Sequence, residues 1–308
     1  MKSSISGAFV QIKSMDIQNG RANVELLLPE WQGKEADTFV LYLWDEKDAL
    51  VFQAVRRVDE EEPCVIQLLH PHLWEGAEKP YLYRLELYGE CSSGSMLLDC
   101  QWLALRTIEE IPGKGCFLNH RAFVPKCVHY SSVGALGGKG EQVFWAALEQ
   151  RLHSLVKMGA NTLVFDTLEG MSEQELIRFQ ECCDRKGLLV QTARQWTFSE
   201  EATVCPGGAL FDRKGLPTDT FYRFKAKWST EPFIYICVQS LSRQPDGGYR
   251  VTVFSNRKKV ALLVNGIVFG FQEDGPEFLF QDIQIKGFPV CLAAEAEECS
   301  MSVVCYGV

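Results

Sequence analysis

The sequence predicts a multidomain chain of mixed class, β plus α/β, with β-sandwich modules on either side of a short α/β stretch. Three observations predict it. Short apolar alternations broken by turn residues recur before residue 105 and again after residue 219. Between them, residues 115–193 run strand, helix, strand, helix, strand and then stop, which implies parallel strands joined by right-handed crossovers. The chain has 308 residues, 46% hydrophobic and 23% charged, enough for two or three packed domains. The expected boundaries are 1–108, 109–218 and 219–308.

The N-terminal module is read from seven apolar runs, at 8–12, 22–28, 38–44, 50–55, 64–69, 81–88 and 96–104. Asn19-Gly20, Gln32-Gly33 and Ser93-Gly94 supply turn chemistry between them. Seven short strands at such spacing fit an immunoglobulin-like sandwich. Trp74, Tyr81 and Tyr83 are large anchors for its core, and Pro71 and Pro80 fix the turn and the strand entry.

In the middle stretch, residues 124–130 form a first strand. Phe144, Ala147, Leu148, Leu152, Leu155 and Val156 then place a helix over 141–158. Residues 161–165 are a second strand. A second helix over 172–186 carries Leu176, Ile177, Phe179 and Cys183 on one side, which explains the Cys182-Cys183 pair without redox chemistry. Ser172 and Glu175 form a capping box at its start. Gly159 and Gly187 suit left-handed helix ends before strands, and a third strand begins at 188–190. In the C-terminal module, Asn265-Gly266 between apolar runs is a hairpin signal, and Asp246-Gly247-Gly248 and Asp274-Gly275-Pro276 are further turns.

Composition excludes several functions. A net charge of −9 argues against nucleic acid as a partner. No apolar run approaches the roughly 20 residues of a membrane span, and residues 1–13 lack the apolar core of a signal peptide, so a cytoplasmic location and no membrane partner are expected. Twelve cysteines show no CxxC pair and no zinc-ligand rhythm, so they read as reduced, buried small hydrophobes. His70 and His72 lack a third ligand nearby, and the glycine-rich 134–140 has no Ser or Thr after Lys139. Neither a metal nor a cofactor is expected.

Several motifs resemble glycoside hydrolase family 2, the β-galactosidase and β-glucuronidase family. His70-Pro71-His72-Leu73-Trp74, Lys79-Pro80-Tyr81-Leu82-Tyr83 and Arg106-Thr107-Ile108-Glu109 are similar to the end of its immunoglobulin-like domain. Phe117-Leu118-Asn119-His120-Arg121 and Val124-Pro125-Lys126-Cys127-Val128-His129 resemble the segment that opens its barrel. Lys157-Met158-Gly159-Ala160-Asn161-Thr162-Leu163 and Cys183-Asp184-Arg185-Lys186-Gly187-Leu188 resemble its next helix ends and strands. Asp212-Arg213-Lys214-Gly215-Leu216-Pro217 and Lys225-Ala226-Lys227-Trp228-Ser229 look like its barrel exit, and Val260 to Gly266 like its C-terminal immunoglobulin-like module. The resemblance implies two immunoglobulin-like β-sandwiches flanking a truncated (β/α) TIM-barrel remnant of about three units. A closed barrel needs roughly 200 residues or more.

Departures from the pattern fall near the sugar site. Val164 stands where the resemblance implies an arginine, Ala193 where it implies a carboxylate, and His120 and Cys127 where it implies glycines. Retaining glycosidases use two carboxyl groups about 5–5.5 Å apart. The family's acid/base follows an asparagine, and this chain has no Asn-Glu dipeptide. No catalytic residue is therefore assigned. The expectation is a catalytically inactive family 2-like protein acting in carbohydrate binding or protein assembly, with carbohydrate, another protein chain or a further copy as partner. The alternative is a β-galactosidase-like glycosidase active through a partner chain or a rebuilt site.

His129, Tyr130, Asp166, Glu169 and Trp196 are the candidate sugar-binding residues, at or after the carboxyl ends of the strands. Glu200 and Glu201 also follow the third strand. A core histidine, a core tryptophan and a capped loop are the structural alternatives. Because parallel strands leave open edges, residues 194–218 or a second copy are expected to cover one.

Overall fold

The computed structural model describes residues 10–28, 38–60, 62–91, 94–136, 141–192 and 203–307. Its first seven strands are β1 (Gln11–Gln18), β2 (Arg21–Leu27), β3 (Thr38–Trp44), β4 (Leu50–Arg57), β5 (Cys64–Leu69), β6 (Tyr83–Cys91) and β7 (Gly94–Leu103). They form two antiparallel sheets, β1-β2-β5 and β4-β3-β6-β7. Period-2 burial makes the shared core. Ala22, Val24 and Leu26 of β2 and Cys64 and Ile66 of β5 meet Leu41 and Leu43 of β3 and Leu85 and Leu87 of β6. Each large apolar side chain buried there contributes about 1.5–3 kcal/mol.

Turn chemistry sets the register. Asn19 and Gly20 take φ of 51° and 75°, and the hairpin they close pairs Gln18 with Arg21. The first strand therefore runs over 11–18 instead of the expected 8–12. An irregularity between Ile12 and Ser14 breaks the alternation that would have located it.

A small antiparallel sheet follows, made of β8 (Ile108–Ile111), β9 (Gly115–Leu118) and β10 (Arg121–Phe123). Asn119 and His120 form its left-handed turn at φ 51° and 63°. At the position where glycine is implied, the His120 ring is held instead by Glu109 Oε1 at 3.0 Å and the Ile17 carbonyl at 3.2 Å.

The next elements are β11 (Lys126–Ser132), α1 (Glu141–Met158), β12 (Thr162–Thr167), α2 (Glu173–Arg185), β13 (Leu189–Thr192), β14 (Thr203–Pro206) and α3 (Asp219–Trp228). The Ser172–Glu175 capping box is present, and Gly159 and Gly187 take φ of 95° and 75°. β11 pairs in parallel with β12 on one side and with β14 on the other. A strand from within 194–218 thus covers an edge of β11.

Seven further strands complete the chain: β15 (Ile234–Arg243), β16 (Tyr249–Ser255), β17 (Lys259–Val264), β18 (Ile267–Glu273), β19 (Glu277–Ile283), β20 (Val290–Ala296) and β21 (Cys299–Cys305). The sheets β15-β16-β19 and β18-β17-β20-β21 enclose a second core of Ile236, Val251, Val253, Leu262, Phe278 and Leu292.

Two compact units emerge, Met1–Pro125 with Leu168–Ala202 and Lys126–Thr167 with Thr203–Val308. The α/β stretch contributes to both. In the first unit, Leu189 packs with Trp74, Leu82, Ala104 and Leu118. A Cβ on Gly187 would lie 2.2 Å from Ala77 backbone, so only glycine allows that approach.

All twelve cysteines are free thiols. No described helix is long and apolar enough to cross a membrane.

Candidate functional site

The strand ends of the second unit carry the only two candidate residues that the structure brings into direct hydrogen-bond contact among those described. β12 is buried through Thr162, Leu163, Val164 and Phe165, as parallel strands covered on both faces are. Cys127 and Val128 of β11 are equally buried. The register pairs His129 with Val164 and Tyr130 with Phe165, so the two strands reach the surface together. There His129 Nε2 meets Asp166 Oδ1 at 2.8 Å, with the side chains 34% and 55% exposed.

The opposite end of the same strands is fixed by hydrogen bonds. Lys126 N donates to Asn161 Oδ1 at 2.7 Å, and Lys126 Nζ donates to the Trp228 carbonyl at 2.8 Å. Partial burial lowers the Lys126 pKa. α1 closes the crossover from β11 to β12 and buries Leu148, Leu152, Leu155 and Met158. A rigid base therefore holds the His129–Asp166 pair.

Tyr130 lies away from that surface. Its ring stacks on Phe165 with centroids 5.9 Å apart, and only 2% of the residue is exposed. A Cβ on Gly207 would sit 2.3 Å from the ring, so the turn after β14 packs directly on it. The hydroxyl is buried without a hydrogen-bond partner among the described residues, and burial pushes its pKa up. Tyr130 is a core ring, not an accessible sugar contact.

Glu169 falls in the first unit, in the turn before the capping box. Trp196, Ala193, Glu200 and Glu201 lie outside the described residues. The histidine expected as a core residue is instead half-buried and paired at a strand end. Period alone could not reveal this, because His129 continues the apolar run Cys127-Val128.

Chemically, the pair offers a hydrogen-bonded imidazole and one carboxylate. Asp166 is the single carboxylate that β11, β12 and β14 carry. Among the described residues, no group of three or more His, Cys, Asp or Glu side chains is placed to hold a metal.

A second cluster, in the first unit, joins the motif residues around Trp74. Its indole donates to the Asp184 carbonyl at 2.8 Å, and Arg106 lies 4.5 Å over its ring. Asn119 bridges Thr107 N at 3.0 Å and the Trp74 carbonyl at 2.9 Å. These residues are buried or half-buried, and their contacts are structural.

No family model matches the sequence. A putative β-glucuronidase of Formosa agariphila is 35% identical over 91 residues, covering 26% of this chain and 11% of that protein. The FMN-binding β-glucuronidase of Facaelibacterium prausnitzii L2-6 superposes with a TM-score of 0.77 at 14% identity, covering 98% of this chain and 74% of that one. For β-glucuronidase 3 of Bacteroides uniformis the TM-score is 0.71 at 12% identity, covering 96% and 63%. The chain thus spans about a tenth of the curated relative and under two thirds of the second structure. Over that span, its fold is the fold of the glycoside hydrolase family 2 β-glucuronidases, as the sequence motifs imply.

Proposed function

We propose that this chain is a glycoside hydrolase family 2-like protein without glycosidase turnover, which acts by binding a carbohydrate or another protein chain. In this reading its two-sheet modules are immunoglobulin-like, and β11 to β14 are what remains of a (β/α) barrel. The observation that carries the proposal is the content of the strand ends. β11, β12 and β14 carry one carboxylate, Asp166, and it is engaged by His129. Retaining hydrolysis uses two carboxyl groups about 5–5.5 Å apart. The apolar Val164 supports the same reading, since it gives the position no polar atom. Twelve free thiols support a reducing, cytoplasmic setting.

As a binding site, the pair is suited to hydroxyl-rich ligands. The carboxylate accepts hydrogen bonds from sugar hydroxyls, and the imidazole adds a polar ring at a rigid strand end. Calorimetric titration with glucuronic acid- and galactose-containing oligosaccharides tests this. Binding that weakens tenfold or more in His129→Ala and Asp166→Asn supports the carbohydrate role. Binding indifferent to both variants moves the ligand elsewhere. Hydrolysis of aryl β-glycosides that Asp166→Asn abolishes would overturn the non-catalytic reading.

A further inference from the structure

We infer that the groove between β7 and α2 in the first unit binds a small molecule with an apolar body and one ammonium group, with Glu181 as its counter-charge. The inference is independent of the binding role proposed above, since His129 and Asp166 belong to the second unit.

The groove arises from the way a sheet edge is covered. β7 is the outer strand of β4-β3-β6-β7, so one of its sides has no strand neighbour. Backbone donors on such an edge need an acceptor from elsewhere. Trp102 N finds it in Glu181 Oε1 of α2, at 2.9 Å. Helical spacing brings Glu173, Ile177, Glu181 and Asp184 along one line of α2. Between that line and β7 lies a groove of about 530 Å³, within the ~300–1,000 Å³ of small-molecule sites.

Its walls are mainly apolar, with Met15, Trp102, Leu103, Leu168, Leu176 and Ile177 among them. Arg106 and Asp184 also line it, and these two charges satisfy each other at 2.6 Å. Glu181 differs. It is half-buried, accepts from Trp102 N, and makes no ion pair among the described residues. Arg185 acts on it from a distance and lies over the Trp102 ring at 4.2 Å, while Asp99 and Asp184 oppose it as like charges. A carboxylate therefore stands in an apolar wall without a counter-ion.

This arrangement selects a cation. An ammonium against Glu181 makes a charge-assisted hydrogen bond and favours the ionised carboxylate that burial disfavours. The apolar body of the same molecule gains by burial against Leu176 and Ile177. An anion would meet three lining carboxylates, Glu173, Glu181 and Asp184, against one guanidinium. A sugar would bury hydroxyls against apolar walls that leave them without partners.

Calorimetric titration of the full chain with 2-phenylethylamine tests this, with 2-phenylethanol as the neutral analogue and phenylacetate as the anion. The amine should bind at least tenfold more tightly than the alcohol, and phenylacetate should not bind. Glu181→Gln keeps an acceptor for Trp102 N and removes the charge, so it should weaken the amine tenfold or more and bring it level with the alcohol. Ile177→Trp, which fills the groove from α2, should abolish binding of both while leaving the circular dichroism spectrum unchanged. Glu78→Gln, at an exposed position of the same unit outside the groove, should change nothing. No binding of the amine in the millimolar range, equal binding of amine and alcohol, or an affinity unchanged in Glu181→Gln or in Ile177→Trp would overturn the inference.

Discussion

Arg106 Nη1 lies 2.6 Å from Asp184 Oδ1, inside a site where the two side chains are 16% and 6% exposed. Gln180 Nε2 donates a second hydrogen bond to the same oxygen at 3.0 Å, and the guanidinium covers the Trp74 ring. Burial raises the Asp184 pKa, and Arg106 holds it down. Three segments far apart in sequence are joined at this point. Removing one partner of a buried pair leaves an uncompensated charge, which costs about 3–5 kcal/mol. Arg106→Met should therefore destabilise the first unit by about that amount in urea unfolding. Asp184→Asn keeps the hydrogen bonds and should lose less.

Glu181 gives a pH dependence. Its carboxylate accepts from Trp102 N at 2.9 Å, and burial raises its pKa above the usual glutamate value. The folded chain then holds this proton more tightly than the unfolded chain. The contribution to stability is full below the unfolded pKa and is lost as pH rises through the raised one. Relative to Glu181→Gln, the unmodified protein should lose stability across that window, read as urea midpoints over an acid-to-neutral series. A constant difference between the two would refute it.

Gly159 ends α1 at φ 95°, and a Cβ there would lie 2.6 Å from Trp228 backbone. Both the left-handed backbone and the close approach exclude a side chain. Gly159→Ala should cost ~2 kcal/mol or more, since α1 and α3 would have to separate. Thermal and urea unfolding measure it.

Cysteine accessibility tests the packing of both cores. Cys64, Cys116, Cys127, Cys183, Cys205, Cys237 and Cys305 are buried. Burial raises the thiol pKa of Cys205 to about 12 and drives Cys183 well above the ordinary value. A thiol-reactive dye should leave these seven unlabelled in the native protein and label all twelve in urea.

Much of this fold was legible in the sequence because local signals agreed with tertiary pairing. Ser172 and Glu175 marked the start of α2, Asn265-Gly266 marked a hairpin, and the apolar period of 141–158 located α1. β14 was not legible. It is four residues long, ends at Pro206, and owes its strand form to pairing with β11. The β8–β10 sheet was missed for the same reason, since strands of three or four residues carry too little alternation. α3 has Phe221, Phe224 and Trp228 at helical spacing, but no helix was expected there, since residues 225–229 were read only as similar to a barrel exit. At the site, the sequence placed His129 and Asp166 near strand ends. Only the parallel register shows that they meet, while Tyr130 turns into the core.

We propose that the His129–Asp166 strand ends bind and do not hydrolyse. Purified protein incubated with aryl β-glucuronides and aryl β-galactosides tests it most directly, with Asp166→Asn run in parallel. No release of the aryl group above the buffer rate, from either protein, is the predicted result. Release by the unmodified chain that is lost in Asp166→Asn would contradict it.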